Sequence, residues 1–374
     1  MNLKTLVSIE EISAGDWDSL LPDAQPFMQH RFFSCLERSQ SVGQKVGWQV
    51  AHKTLWAEGK LVAAMPCYLK SHSLGEYVFD MAWADACVRA GIGYYPKLLG
   101  AVPFSPIQGA RLLGDASGLI SYLTEEAKAV GLSGIHINFT DKKANATLQA
   151  HEGWLERLGC QFHWVNKGYR DFQDFLETFN SRKRKQVRKE RASVLAQGFE
   201  LRWHNACELT ETDWDFVYAC YVNTYHIRGR SPYLTRSFFS HLAQSMPEHV
   251  EVLMVVKEGK GCAMALSLVA DGRLYGRYWG ALIDAPNLHF EACFYQGIER
   301  AIDEGWQYFD AGAQGEHKLI RGFEPVITHS WHWLAHAGLR RAVETFLSEE
   351  RVAVQQYAHD ARELLPYRVA LTDA

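Results

Sequence analysis

Apolar positions along the chain switch between a two-residue and a helical period, and the order of the switches is repeated. Over 48–57 and 61–70, runs of Trp, Val, Leu, Tyr and Ala flank the polar turn Ala57-Glu58-Gly59-Lys60, which predicts a strand hairpin. A helix over 118–130, a strand over 135–139, a helix over 144–158 and a strand over 161–164 follow. The second half opens with a long helix-forming stretch over 172–197. A helix over 212–225 comes next, with Trp214, Val217, Tyr218 and Tyr221 at helical spacing. Strands are predicted over 250–257, 262–270 and 274–279, with turns at Glu258-Gly259-Lys260-Gly261 and Asp271-Gly272. A helix over 290–304 and an aromatic strand over 306–309 complete the set. Strand hairpin, helix and strand thus occur once in each half, the order of an α/β domain with mixed sheets. The boundary falls at 166–171, giving two domains, 1–168 and 169–374. Shorter helices start near Ser13 or Asp16 and cover 32–38, and the tail over 339–365 reads as one or two helices ending before Pro366.

Composition agrees with two packed domains. The 374 residues are 47% hydrophobic and 22% charged, enough apolar surface for two cores of ordinary size. A net charge of −4 excludes a chain that coats DNA or RNA with its whole surface, while leaving room for one local basic patch. The eight cysteines are scattered, without a Cys-x-x-Cys pair or a zinc-site spacing with histidine, so reduced core residues and no metal centre are expected. Glu10 and Glu11 interrupt the N-terminal apolar residues, and no later run reaches about 18 apolar residues. The expectation is a cytoplasmic protein with no transmembrane segment.

The loop after the last strand, 309–325, concentrates chemistry: Glu316, His317, Lys318 and Arg321 sit between Gly312, Gly315 and Gly322. Glycine allows close backbone approach to a ligand, and such loops often carry function. The spacing matches neither a dinucleotide fingerprint nor a phosphate loop. Lys318 and Arg321 suit an anion, the lysine as a point charge and the arginine as a fork. His289 and Glu291 open the predicted 290–304 helix, whose dipole favours a carboxylate and disfavours imidazolium, leaving a neutral histidine as a candidate base. The run 182–191 holds seven cations and one acid. On a helix Arg184, Arg188 and Arg191 share one face, and Arg182, Lys185 and Lys189 another, so Arg182, Arg184, Lys185 and Arg188 are candidate phosphate ligands. In the first half His72, Glu76, Asp80, Trp83, Tyr95 and Lys97 lie in a loop-rich stretch that reads equally as a small-molecule cleft or as an interface.

Several of these segments carry a family resemblance. They are His72-Ser73-x-Gly75-Glu76-Tyr77-Val78-Phe79-Asp80, Tyr94-Tyr95-Pro96-Lys97-Leu98, Pro103-Phe104-Ser105-Pro106, Arg182-Lys183-Arg184-Lys185, Leu288-His289-Phe290-Glu291, and Gly312-Ala313-Gln314-Gly315-Glu316-His317-Lys318 through Arg321-Gly322-Phe323. Together with Tyr275-Gly276-Arg277-Tyr278-Trp279-Gly280 they resemble the Fem-type peptidyltransferases, and more closely the FemAB-like N-acyltransferases of peptidoglycan biosynthesis/recognition. The resemblance runs from about 30 to about 333. It implies two tandem GNAT-like acyltransferase domains and transfer of an acyl or aminoacyl group to the amine of a small molecule, peptide or cell-wall precursor, in a cleft formed by both halves. Lys318 falls where Fem-type enzymes place a lysine that stabilises the reacting carbonyl or a phosphate. His289, Glu291 and His317 are the other implied catalytic residues, with Glu316, Arg321 and the first-half set as substrate ligands. Acyl-CoA or aminoacyl-tRNA is the implied co-substrate, and no tightly bound cofactor is implied. The GNAT acyl-CoA loop, Arg/Gln-x-x-Gly-x-Gly/Ala before a helix, is absent, and no long helical hairpin arm is legible beyond the helix after Phe172. The alternative is a non-catalytic module of the same fold that recognises an anionic precursor or conjugate.

Overall fold

The structure is a computed structural model and describes residues 1–313 and 315–368. Its contacts divide the chain into two compact units, the first formed by 1–160 and 327–356 and the second by 161–326 and the chain from 357 on. The sequence reading places a single boundary at 166–171, whereas the chain passes between units three times. The physical reason lies in two long strands. Trp154–Val165 and Glu324–Leu334 each begin in one unit and end in the other.

The first unit contains β1 (Asn2–Leu6), β2 (Trp48–Val50), β3 (His52–Ala57), β4 (Lys60–Met65), β5 (Cys67–Lys70), β6 (Lys97–Gly100), β7 (Leu113–Gly114), β8 (Gly134–Asn138) and the start of β9 (Trp154–Val165). Ala51 and Pro66 cut the expected hairpin. As a result β3 and β4 pair within a sheet of order β1-β3-β4-β7, while β2 pairs with β5 in another. Proline has no N–H for the ladder, which is why the strand breaks there. The second sheet runs β2-β5-β6-β8 and is extended by residues 330–334, antiparallel to β8. Its core is aliphatic and tryptophan-rich, with Leu119, Ile120 and Leu123 of the helix Ser117–Val130 packed among Ile135, Ile137, Trp331 and Trp333.

The second unit contains β10 (Phe199–Asn205), β11 (Val250–Lys257), β12 (Lys260–Ala270), β13 (Arg273–Ala281) and β14 (Tyr308–Asp310). Its sheet order is β10-β11-β12-β13-β14, and β14 pairs with the end of β9. β15 (Glu324–Leu334) and the helix Ala337–Glu363 follow. In both units antiparallel strands lead to one parallel pair. β6 joins β8 through the helix Ser117–Val130, and β13 joins β14 through the helical residues 288–303. The repeat read from the sequence is therefore present. The mixed α/β class is the one found, in two units that repeat the same order of elements.

Several expected elements differ in extent. The helix over 144–158 is only Lys142–Gln149; Gly153, at φ 84°, turns the chain into β9. The helix over 172–197 is two, Phe172–Glu177 and Ser181–Ala196, because Asn180 caps the second by accepting from the Lys183 N–H. The loop-rich stretch after 70 contains the helix Met81–Arg89, and 291–295 form a π-helical turn.

Candidate active site

Strand β13 is longer than its parallel neighbour. Only Arg273–Tyr275 pair with Tyr308–Asp310, and β13 runs on to Ala281 without them. Opposite, the β12–β13 register slips between Leu266 and Ser267, whose partners are Tyr278 and Gly276, so Arg277 is the extra residue of a bulge. A cavity of about 440 Å³ opens beside these residues. Trp203, Trp279, Phe294 and Phe309 give it aromatic walls, and Arg228, Arg277, His289, His317 and Lys318 give it polar groups. Every lining residue belongs to the second unit. An apolar cavity with a few convergent polar groups is the general form of a small-ligand site.

A buried ion pair anchors the floor. Arg277 donates to the Asp310 carboxylate at 2.7 Å, and each side chain is 2% exposed. Burial alone would raise the Asp310 pKa, but Arg277 and His163 overcome it and hold the carboxyl well below its usual range. The same carboxylate accepts the Gly312 N–H at 2.8 Å, fixing a turn in which Gly312 takes φ 87°. The Gly312 carbonyl in turn accepts from the Lys318 ammonium. Arg277, Asp310, Gly312 and Lys318 thus form one chain of contacts that orients the lysine.

Lys318 is buried, and burial pulls its ammonium down to about 8 against the opposing attraction of Asp310. His289 falls to about 4, first through burial and then through His317, Arg321, Lys318 and Arg228. Burial, Arg321 and Lys318 lower His317 as well. The two imidazoles, with ring centroids 6.1 Å apart, are therefore neutral near pH 7 beside a lysine that is still mostly charged. This arrangement places proton acceptors and a cationic donor in one partly dry site.

The sequence comparison decides the family. A profile of FemAB-like proteins, described as peptidoglycan biosynthesis/recognition, matches residues 8–369. The chain belongs to the FemAB-like family. No curated protein matches it in sequence. Among solved structures it is similar to FemX, at 13% identity and a TM-score of 0.52, covering 92% of this chain and 100% of that one. It is also similar to L-PGS from Bacillus licheniformis, at 11% identity and a TM-score of 0.52, covering 92% and 98%.

Within this FemAB-like protein the expected site residues separate into groups. His289, His317 and Lys318 line the cavity; Glu291 and Arg321 do not. Glu291 is buried under the helix Ser181–Ala196, accepting from Arg191 at 3.1 Å and from Gln296 at 2.9 Å, so it neutralises a helix contact. Arg321 is 2% exposed and spends its donors on Glu190, Tyr295 and the His317 carbonyl, with its guanidinium over the Phe290 ring. It braces the loop beneath His317 rather than offering a free fork. Glu316 is exposed and accepts from the Tyr357 hydroxyl. Gln314, part of the family motif, lies outside the described residues. On the helix Ser181–Ala196, Arg182, Lys185 and Arg188 are exposed and Arg184 is half-buried, and no ion pair among the described residues uses them; Arg191 is turned inward onto Glu291 and Glu299.

The first-unit set is a buried polar cluster. Lys97 is fully buried and donates to Ser73 and Glu76, both at 2.9 Å, and to Asp80. Tyr94 donates to Asp80 at 2.6 Å, and Tyr95 exchanges a bond with Ser73. Burial lifts Glu76 to about 7 against the pull of Lys97. Burial would raise Asp80 too, but Lys97 and His136 bring it down to about 2. Trp83 packs against His332 and Arg157, and His72 ties its loop to the turn before β2 by bonding the Val46 carbonyl. These side chains are mainly satisfied by one another.

Arg228, Trp203, Cys293 and the buried His163 were not legible as site residues. Arg228 follows the predicted 212–225 helix with no motif around it, and the bulge that turns Arg277 toward Asp310 has no local sequence mark.

Proposed function

We propose that this chain is an N-acyltransferase or aminoacyltransferase whose chemistry occurs in the cavity beside β13, with Lys318 stabilising the reacting carbonyl. The observation that carries the reading is a buried lysine, oriented through Gly312 and Asp310, beside two imidazoles kept neutral. The acceptor amine attacks the carbonyl carbon of the donor, and a neutral imidazole takes the amine proton. His317 is the better base, because it is more exposed than His289 and faces fewer cations. Lys318 donates to the oxyanion of the tetrahedral intermediate. Collapse then breaks the carbonyl bond to the leaving thiolate or ribose oxygen, which recovers a proton from the imidazolium.

Acyl-CoA and aminoacyl-tRNA are the donor classes this reading allows, and the acceptor is the amine of a peptide, small molecule or cell-wall precursor. The family description and the similarity to FemX support the last of these. The test is mass-spectrometric detection of transfer from each donor class to amine acceptors. Lys318→Ala is expected to lower the rate about 100- to 1,000-fold, the scale for loss of one oxyanion donor, with Lys318→Arg partly active. A folded wild type that binds donor and acceptor but transfers nothing would leave the binding-module alternative in its place.

A further inference from the structure

The cavity wall carries one cation, Arg228, whose side chain has neither a hydrogen bond nor an ion pair among the described residues. Arg277 is held by Asp310 and Lys318 by the Gly312 carbonyl, whereas Arg228 is exposed and enters no ion pair or side-chain hydrogen bond. Its charge nonetheless reaches the site, being among the cations that lower His289.

The position of Arg228 is built. It lies just past the helix Glu211–His226, where its N–H bonds the Tyr225 carbonyl at 3.0 Å and the Arg230 N–H bonds the same carbonyl at 3.0 Å. The Tyr221 hydroxyl receives the Leu234 N–H at 3.1 Å and closes the segment. The helix is in turn fastened to the strand that lines the cavity. Thr224 donates to the Trp279 carbonyl and Asn223 to the Ala281 carbonyl, each at 2.7 Å. Gly280 permits this approach, since a Cβ there would lie 1.9 Å from the Cys220 carbonyl oxygen.

The other candidate for anion binding is the turn from β13 into residues 288–303, and part of its backbone is already used. Its Leu282 N–H bonds the Cys262 carbonyl, its Leu288 N–H bonds the Ala285 carbonyl, and Pro286 has no N–H. Asp284 adds an exposed negative charge. That turn carries an exposed carboxylate, whereas the helix side offers a guanidinium with no ion pair among the described residues.

We propose that Arg228 binds the phosphate of a phosphate-ester ligand at the solvent-exposed end of the cavity, leaving the body of the ligand along the aromatic walls toward Lys318. This rests on the acyl-transfer reading for its direction but not for its test. Coenzyme A and a tRNA 3′ end both present a phosphate, and the experiment separates them.

Binding of coenzyme A, of pantetheine, and of a short oligoribonucleotide ending in cytidine-cytidine-adenosine is measured by calorimetry at several salt concentrations, for wild type, Arg228→Ala and Arg228→Lys. The expected result is that wild type binds one phosphate ligand and that Arg228→Ala weakens it about tenfold, the scale of one charge-assisted hydrogen bond. The slope of log affinity against log salt should fall by about one. Arg228→Lys should recover part of the loss, and pantetheine should be insensitive to the change. Coenzyme A binding alone assigns the small-molecule source; oligonucleotide binding alone assigns the tRNA source. Binding unaffected by Arg228→Ala, or preference for pantetheine, overturns the proposal while leaving acyl transfer intact. Arg228-dependent binding in a protein without transferase activity would instead sink the catalytic reading and keep this one.

Discussion

Lys318 and Lys97 are both buried lysines, and their surroundings give them opposite tasks. Lys318 has a single carbonyl acceptor and a more distant carboxylate, so burial dominates and its ammonium falls to about 8. If its charged form stabilises the oxyanion, the rate should decline as pH rises through about 8, because deprotonation removes the donor. Lys318→Arg should shift that alkaline limb upward by more than one pH unit, since arginine stays charged. A pH–rate profile unchanged by the substitution would remove Lys318 from the chemistry. Lys97 is likewise penalised by burial, but Glu76 and Asp80 outweigh it and raise its pKa. Its removal leaves Asp80 without its cation and Glu76 with only Lys70, 4.0 Å away, so Lys97→Met should destabilise by about 3–5 kcal/mol near pH 7, read from chemical denaturation. The pH dependence follows by sign. Asp80 is lowered, so its contribution is present above the unfolded carboxyl range and fades as pH falls toward 2. Glu76 is raised, so its contribution is complete at acid pH and is lost as pH climbs through about 7. A Lys97→Met protein as stable as wild type would mean the cluster contributes nothing to the fold.

At the scale of elements, the site depends on a helix and a strand brought closer than side chains normally allow. Gly280→Ala places a Cβ on the Cys220 backbone and must push the helix Glu211–His226 away from β13. We expect a loss of about 1–3 kcal/mol, typical of overpacking, together with weaker Arg228-dependent binding. An unchanged denaturation midpoint would show that the helix has room to shift. The hairpin strands and the helices on either side of them were legible because their apolar period is local. β15 was not. Its Thr328, Ser330 and His332 are buried, yet polar, and Ser330 and His332 lie in register with Asn138 and His136 of β8. Hydropathy cannot register burial that hydrogen bonding makes tolerable. The helix over 172–197 was read as one for a related reason, because both halves have helical spacing and only the Asn180 side chain shows where one stops.

At the scale of the whole chain, the units are compact but not contiguous in sequence. A fragment ending at 168, where the sequence pattern suggests a linker, would lack residues 327–356. It would therefore lose one of the two strands that pair with β8 and both Trp331 and Trp333 of the first core. We expect fragment 1–168 to be aggregated or without a cooperative melt, because an exposed strand edge and an unfilled core favour association. A soluble, cooperatively folding fragment would show that the interleaved strand is dispensable. The acidic chain also carries an exposed basic face on the helix Ser181–Ala196, a contrast of local and net charge visible from residue order alone.

The amino-acid sequence by itself determined the alternation of elements, the internal repeat, and the loop that carries His317 and Lys318, because periodicity and residue type are properties of neighbours along the chain. Tertiary structure decided which ionisable groups are spent. Glu291, Arg321 and Arg191 close buried contacts, Lys318 and two neutral histidines face a cavity, and Arg228 reaches it from a helix end. Those outcomes follow from burial and from the distance to an opposite charge. Both arise only when residues far apart in sequence are brought together.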